Sequence, residues 1–358
     1  MDSIDGKPRC LVLFEESCKS KSTKKVYLFE FNKFVKWTGK DYEQLLFLEK
    51  TELTDKLVDY ALHLKKRVSP NSMPIYFAGI FKFFEMNDRE FNKRKIRSLY
   101  GEKVKRAGFL PITDEQINAM MKVCQNQKQR ALIYLFSSTG ARPEAIAELK
   151  MKGLEPIGVG CLSLRLYDGS LHEMYSFLHE KATIELKKYF EWREKQGEKL
   201  NPESFVFVNT TELMFLTVKP MHSTSVSSVF TYLIEKAGIT RTKSNNKNYD
   251  LSSTGGFRKR FNTIMKMNPN VAHAIGEMLM DHSNYLEKHY FKPTREQLFV
   301  EFEKAVPELE FDEAIRLKIE NKNKQKHIEK LESEKDIQLK DMQAQIDSVK
   351  ELLKRSKK

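Results

Sequence analysis

Residues 131–149 read ALIYLFSSTGARPEAIAEL, and this stretch decides much of the fold. An apolar run with helical spacing stops at Gly140, and Pro143 suits the first turn of a following helix because proline lacks the amide hydrogen that this turn leaves unpaired. Arg142 lies between the two helices. The amides and the dipole of a helix start favour anions, so an arginine placed there can grip a phosphate oxygen. The stretch therefore predicts two consecutive helices with an anion site between them.

Two further stretches carry the same kind of residue. Residues 255–263 read GGFRKRFNT, so Arg258 also follows a glycine turn and opens an amphipathic helix. Residues 278–293 read MLMDHSNYLEKHYFKP, which places His282 24 residues after Arg258 and Tyr290 8 residues after His282. An arginine at such a turn can bind a phosphate oxygen, as argued for Arg142. The three stretches therefore give two candidate anion-binding arginines, followed by a histidine and a tyrosine.

The charge of the chain points to a polyanionic partner. The formal net charge is +13, and residues 1–110 carry 23 basic and 15 acidic side chains, which is +8 of that excess. Excess lysine and arginine attract polyanions whatever their sequence. A single basic run is often only a solvated loop end, but three runs in one domain favour nucleic acid. We predict a DNA-binding surface formed by Lys65, Lys66, Arg67, Lys93, Arg94, Lys95, Arg97, Lys103, Lys105 and Arg106.

The residue patterns predict a mainly α fold with a small β component. Helical, aromatic-rich periodicity fills residues 20–100, and phenylalanines at this spacing are expected in a core. A basic linker follows at 101–110, and a mixed α+β domain at 111–306. Within it, Asp168-Gly169 predicts a hairpin that joins strands at 161–167 and 171–177. Residues 1–19 form a separate N-terminal segment in this prediction.

The remaining segment, 307–358, is predicted to be a charged helical tail. Leu339, Met342, Ile346, Val349 and Leu353 are separated alternately by three and four residues, the spacing of a coiled-coil seam. Charged residues interrupt the seam upstream, so the coil is short. The tail either pairs with a partner helix or stays a solitary charged helix.

Several functional classes lack their sequence signals. The four cysteines show no CxxC pair or zinc spacing, and there is no phosphate-loop, HExxH or GxSxG motif, so neither metal nor small-molecule cofactor is predicted. No apolar stretch reaches the roughly 18 residues of a membrane helix. The start, MDSIDGKPRC, has no apolar run typical of a signal peptide. We predict a cytoplasmic, nucleoid-associated protein without a membrane partner.

With these motifs in place, the chain resembles the tyrosine recombinases, especially the integrase-like branch found in archaea and their mobile elements. The motifs are TGARPEAIAEL, GGFRKRFNT and MLMDHSNYLEKHYFKPT, and the resemblance covers about residues 20–306. It implies a helical core-binding domain followed by a catalytic domain that recombines double-stranded DNA without a cofactor. It also implies a homo-oligomer, a tetramer on paired sites.

The resemblance assigns a role to each motif residue. It implies that Arg142 and Arg258 hold the scissile phosphate, that His282 assists phosphate binding and proton transfer, and that Tyr290 is the nucleophile. A phenol is a weak nucleophile, so the two guanidiniums must stabilise both the phenolate and the phosphorane. The phosphotyrosine conserves the energy of the phosphodiester, so rejoining needs neither ATP nor metal. Lys259 is a candidate auxiliary contact.

Three departures from the family pattern accompany the match. Gly255 stands where the family often has histidine, and Tyr290 follows the motif histidine by 8 residues where 9 is common. The hairpin lacks the lysine that usually protonates the leaving 5′ oxygen. Arg165, His172 and the more distant Lys181 are candidate substitutes.

Two other functional classes stay open at this point. One is a DNA-binding protein of recombinase ancestry that no longer cuts, which the absent lysine and Gly255 would fit. The other is an assembly protein in which the terminal coil is the functional part and the basic patches are incidental.

Overall fold

The computed structural model describes residues 3–4, 6–104, 110–209, 218–243, 249–281 and 290–355. The chain divides into two compact units, Met1–Ala107 and Gly108–Lys358. Their boundary falls within the segment predicted as the linker. The predicted fold class, mainly α with a small β component, is confirmed.

The N-terminal unit is a helical bundle preceded by a short β-ribbon. Strands β1 and β2 pair antiparallel. The helices pack around an aromatic core in which the Phe31 and Phe83 rings stack at 4.1 Å between centroids. The described elements are β1 Ser3–Ile4, β2 Lys7–Pro8, α1 Arg9–Glu16, α2 Lys21–Thr38, α3 Tyr42–Leu46, α4 Lys50–Lys65, α5 Met73–Met86 and α6 Lys93–Ser98.

Two details of this unit differ from the sequence-based expectation. Helix α1 belongs to the bundle because Cys10 and Phe14 are buried in its core, so the segment 1–19 is not separate from it. Most of the phenylalanines are core residues as predicted, but Phe29 is 60% exposed and lies 4.1 Å from the Lys33 ammonium. Its position on the outer face of α2 explains the exposure.

The C-terminal unit surrounds a three-stranded antiparallel sheet of order β3-β4-β5. Helix α8 packs against α10 and against α12. The described elements are α7 Asp114–Lys122, α8 Gln127–Thr139, α9 Pro143–Ala147, β3 Leu154–Ile157, β4 Cys161–Leu166, β5 Met174–Leu178, α10 Glu180–Lys195, α11 Ser223–Lys236, α12 Gly255–Met267, α13 His273–Met278, α14 Arg295–Leu309 and α15 Glu313–Arg355.

The hairpin and the tail depart from the prediction. Leu166 pairs with Met174, so the β4–β5 turn spans residues 167–173 instead of the predicted 168–170. Strand β3 was not predicted. The chain leaves the domain core only after Phe311, whose ring packs 4.7 Å from that of Tyr134. Helix α15 then runs for 43 residues, about 64 Å. No helix in the described part of the chain is long and apolar enough to cross a membrane.

The C-terminal unit contains a buried pair of titratable residues, His179 and Glu310. His179 Nδ1 is 3.9 Å from Glu310 Oε2, and both side chains are almost fully inaccessible. Burial raises the pKa of Glu310 to about 7 and lowers the pKa of His179 to about 3. Between pH 4.5 and 7 the folded chain therefore keeps a carboxyl proton that the unfolded chain has lost, so Glu310 makes stability fall as pH rises. His179 has the opposite effect. Between pH 3 and 6.5 the unfolded chain binds a proton on this histidine that the folded chain does not, so His179 makes stability rise with pH.

We expect Glu310→Gln to stabilise the protein at pH 8 and to change little at pH 5. At pH 8 the folded wild type must bury a carboxylate, whereas glutamine carries no charge, and the gain is at most about 3 kcal/mol. Thermal unfolding at both pH values measures the difference. Glu313→Gln, at an exposed position, should show no such pH-dependent gain. An equal gain in stability at pH 5 and pH 8 would contradict the explanation that the buried carboxylate of Glu310 costs stability.

Candidate functional site

Gly140 brings the first two motifs into contact. It ends α8 in the left-handed region at φ 55°, where its amide donates to the Phe136 carbonyl over 3.0 Å. A Cβ on Gly140 would lie 2.7 Å from the Cβ of Phe261, which is closer than real Cβ contacts allow. Because α12 packs this tightly against the turn, Arg142 at the start of α9 and Arg258 in the first turn of α12 share one region of the surface.

Arg258 connects all three motifs. Its Nη1 donates to the Gly140 carbonyl over 2.9 Å, a contact between residues 118 positions apart, and its Nη2 donates to the Met280 carbonyl. Burial, and then the positive charge of Arg142, lowers the pKa of Arg258 to about 10. Two guanidiniums held this close favour binding of an anion between or beside them.

Asp281 is a member of the site that sequence reasoning missed. Its backbone is in the left-handed region at φ 52°, and its side chain is only 9% exposed. Oδ2 of Asp281 lies 3.2 Å from Arg142 Nη1 and 3.6 Å from His172 Nδ1. The residue was visible in the third motif, but no local pattern showed that its carboxylate would face Arg142 and the hairpin.

A second residue that was missed is Tyr167, at the start of the hairpin turn. Its φ of 56° redirects the chain after β4. Burial raises the pKa of Tyr167, and the adjacent Arg142 guanidinium, with Arg258 farther away, opposes that rise. The side chain of Tyr167 therefore lies beside the two arginines.

The candidate auxiliary residues take different positions. His172 faces Asp281, as given above. Arg165 instead faces two other carboxylates, with its guanidinium 3.6 Å from Asp168 and 3.9 Å from Glu155. Lys259 is partly buried next to Arg258 on α12. Lys181 pairs with Glu185 at 2.8 Å.

The structure gives less information about the two remaining catalytic candidates, His282 and Tyr290. His282 lies outside the described residues. The side chain of Tyr290 is 88% exposed. At the position of the absent motif histidine, Gly255 donates its amide to Ser252 Oγ over 3.0 Å. A Cβ there would lie 2.4 Å from the same oxygen, so Ser252 now fills the space next to the glycine.

The basic residues of the N-terminal unit lie mainly on helix ends and on α6. Lys95 lies 3.2 Å from Asp55, and Lys93 pairs with Glu85, but exposed pairs of this kind are weak and exchange readily for phosphate. Lys105 and Arg106 lie outside the described residues. The outer face of α2 adds basic side chains that were not predicted, namely Lys21, Lys25, Lys33 and Lys36.

Comparison with solved structures identifies similar folds. The Tn1549 transposon integrase in complex with transposon right end DNA matches with a TM-score of 0.53 at 15% identity, over 83% of this chain and 99% of that chain. A lambda integrase dimer bound to a COC′ core site matches with a TM-score of 0.53 at 14% identity, over 80% of this chain and 95% of that chain. The XerH site-specific recombinase bound to palindromic difH substrate matches with a TM-score of 0.50 at 17% identity, over 73% of each chain.

These matches show the fold of recombinases and integrases. No family model matches the sequence, and neither does any curated protein.

Proposed function

We propose that this protein is a site-specific DNA recombinase of the integrase type, which cleaves and rejoins duplex DNA through a 3′-phosphotyrosine intermediate. The observation that carries the proposal is the convergence of Arg142 and Arg258, where the Gly140 carbonyl accepts from Arg258 at the turn that presents Arg142. The similar folds support it, since the matched integrases and recombinase are solved with DNA. The motif sequences favour the branch found in archaeal mobile elements.

In this proposal the two guanidiniums neutralise the non-bridging oxygens of the scissile phosphate. Charge builds up on these oxygens in the phosphorane, so donors fixed in advance stabilise the transition state more than the ground state. Tyr290 attacks phosphorus from its exposed position, and His282 assists binding and proton transfer. The transesterification conserves the phosphodiester bond energy, so the chemistry requires neither a nucleotide nor a metal.

The proposed substrate is double-stranded DNA, bound by the basic N-terminal unit and the catalytic unit. Its affinity should come chiefly from phosphate neutralisation, with fewer base contacts selecting the site. The predicted basic runs and the outer face of α2 supply that charge. The protein would then act at the nucleoid.

One observation favours a second candidate, a DNA-binding protein of recombinase ancestry that cuts poorly or not at all. The hairpin has no lysine at its turn, where the family usually has the lysine that protonates the leaving oxygen. The two candidates bind DNA alike and differ in whether a covalent bond forms.

A nicked suicide duplex separates the candidates. Cleavage near the nick lets a short strand diffuse away, so a recombinase stays trapped on the DNA. We expect a denaturant-stable protein–DNA adduct from a pool of such duplexes, and sequencing the trapped DNA would give the target site. Site-specific binding without any adduct would favour the second candidate.

The long helix α15 is proposed to join protomers that work together on paired sites. Its apolar residues Ile328, Leu331, Leu339, Met342 and Ile346 are each about half exposed, whereas Val349 and Leu353 lie outside the described side chains. An exposed apolar seam is stabilised by a second helix, and the charged residues upstream of Leu339 keep the paired part short.

We expect deletion of residues 325–358 to weaken self-association and to leave single-site cleavage intact. The deletion keeps Arg316, which lies 3.1 Å from Asp114 and fixes the start of α15 to the domain. Sedimentation reports the mass, and the suicide duplex reports cleavage. Loss of DNA binding together with association would instead favour an assembly protein.

A further inference from the structure

The β4–β5 turn places an exposed histidine next to the arginine site. His172 Nδ1 lies 3.6 Å from Asp281 Oδ2, a separation suited to pairing of charges but longer than a hydrogen bond. The same carboxylate oxygen lies 3.2 Å from Arg142 Nη1. One oxygen of the Asp281 carboxylate thus lies next to both the Arg142 guanidinium and the His172 imidazole.

The orientation of the His172 imidazole leaves its Nε2 atom accessible to a substrate. Because Nδ1 faces Asp281, Nε2 points away from the carboxylate, and the side chain is 69% exposed. The Tyr167 ring packs edge-on at 6.4 Å and limits the ring to this region. A carboxylate next to one nitrogen of a histidine fixes which nitrogen meets the substrate.

We propose that His172 is the proton donor to the 5′ oxygen that leaves during cleavage, and that Asp281 is its positioning residue. The proposal rests on the recombinase function given above. The sequence motifs assign Asp281 no role, and His172 was one of three candidate substitutes for the hairpin lysine.

The step balances as follows. The Oη–P bond to Tyr290 forms and the P–O5′ bond breaks, with its electron pair passing to O5′. The phenol proton leaves to solvent, to which Tyr290 is open, and Nε2 of His172 delivers its proton to O5′. In rejoining, the neutral imidazole takes the proton back from the 5′ hydroxyl as O5′ attacks phosphorus. The Oη–P bond breaks with its electron pair passing to Oη, and the phenolate takes a proton from solvent.

The other candidates are less suited to this step. Arg165 is turned toward Glu155 and Asp168, and a guanidinium hardly releases a proton near neutral pH. Lys181 lies at the start of α10, where it pairs with the buried carboxylate of Glu185. Histidine, in contrast, both gives and takes protons near neutrality.

The test uses two suicide duplexes of the recovered target site that differ in one atom. One has the normal 5′ bridging oxygen at the scissile phosphate, and the other has sulfur there. Thiols are much stronger acids than alcohols, so the sulfur leaves without a proton. We expect His172→Gln to slow cleavage of the oxygen duplex about 100-fold or more and to cleave the sulfur duplex within a few fold of wild type.

Two more variants complete the experiment. Asp281→Asn, which keeps the side-chain size, should also lose more rate on the oxygen duplex than on the sulfur duplex. Leu171→Ala, next to His172 and 99% exposed, should cleave both as wild type does. If His172→Gln slows both duplexes equally, or neither, His172 is not the donor and the recombinase function stands. If the wild type forms no adduct with any duplex of the initial pool, both the function and this inference are overturned.

Discussion

Replacing Tyr290 with phenylalanine will abolish the covalent protein–DNA adduct and leave DNA binding nearly unchanged. Only the nucleophilic oxygen is removed, and the 88% exposed side chain contributes little to packing. The expected loss of adduct is complete within detection, because phenylalanine cannot form a phosphoester. Denaturing gels after incubation with the suicide duplex measure the adduct, and a gel-shift titration measures binding.

Tyr167→Phe is the matched control for this prediction. Tyr167 is the same residue type and lies beside Arg142, so it is the obvious competitor for the role of nucleophile. We expect its adduct to persist, with a modest change in rate because a neighbour of Arg142 is altered. If the adduct survives in Tyr290→Phe and disappears in Tyr167→Phe, the assignment of the nucleophile is wrong.

Replacing Arg258 with alanine will slow single-turnover cleavage by about 100-fold or more, by analogy with the loss of an oxyanion donor. Arg258 also donates to the carbonyls of Gly140 and Met280, so alanine leaves both without this donor. Arg258→Lys separates the two effects, because lysine keeps the charge but lacks the planar fork. We expect this variant to remain substantially slower than wild type.

Lys266→Ala provides the control on the same helix. Like Arg258→Ala, this substitution removes one positive charge from α12. Lys266, however, pairs with Glu277 and does not belong to the proposed phosphate site. We expect cleavage close to wild type, with thermal unfolding recorded for all three variants to exclude loss of fold. Normal cleavage by Arg258→Ala, in a variant that is folded and binds DNA, would contradict the proposed role.

Much of the fold followed from local patterns. The helix end at Gly140 and the helix start at Pro143 are confirmed. Each depends on residues within one turn of each other, so the sequence alone is sufficient. The β4–β5 turn was predicted too short because Tyr167, a non-glycine residue, adopts positive φ there, which no turn preference indicates.

The sequence by itself determined which residue types could act on a phosphate ester, the order in which they occur, and the helices that carry them. Only the tertiary structure decided that Asp281 meets Arg142, 139 residues earlier in the chain, and that His172 rather than Arg165 faces the same carboxylate. The physical reason is that these contacts join segments with no shared local pattern. They form when α8, α12 and the hairpin pack on one core, and the packing of apolar side chains, not the charges, sets that arrangement.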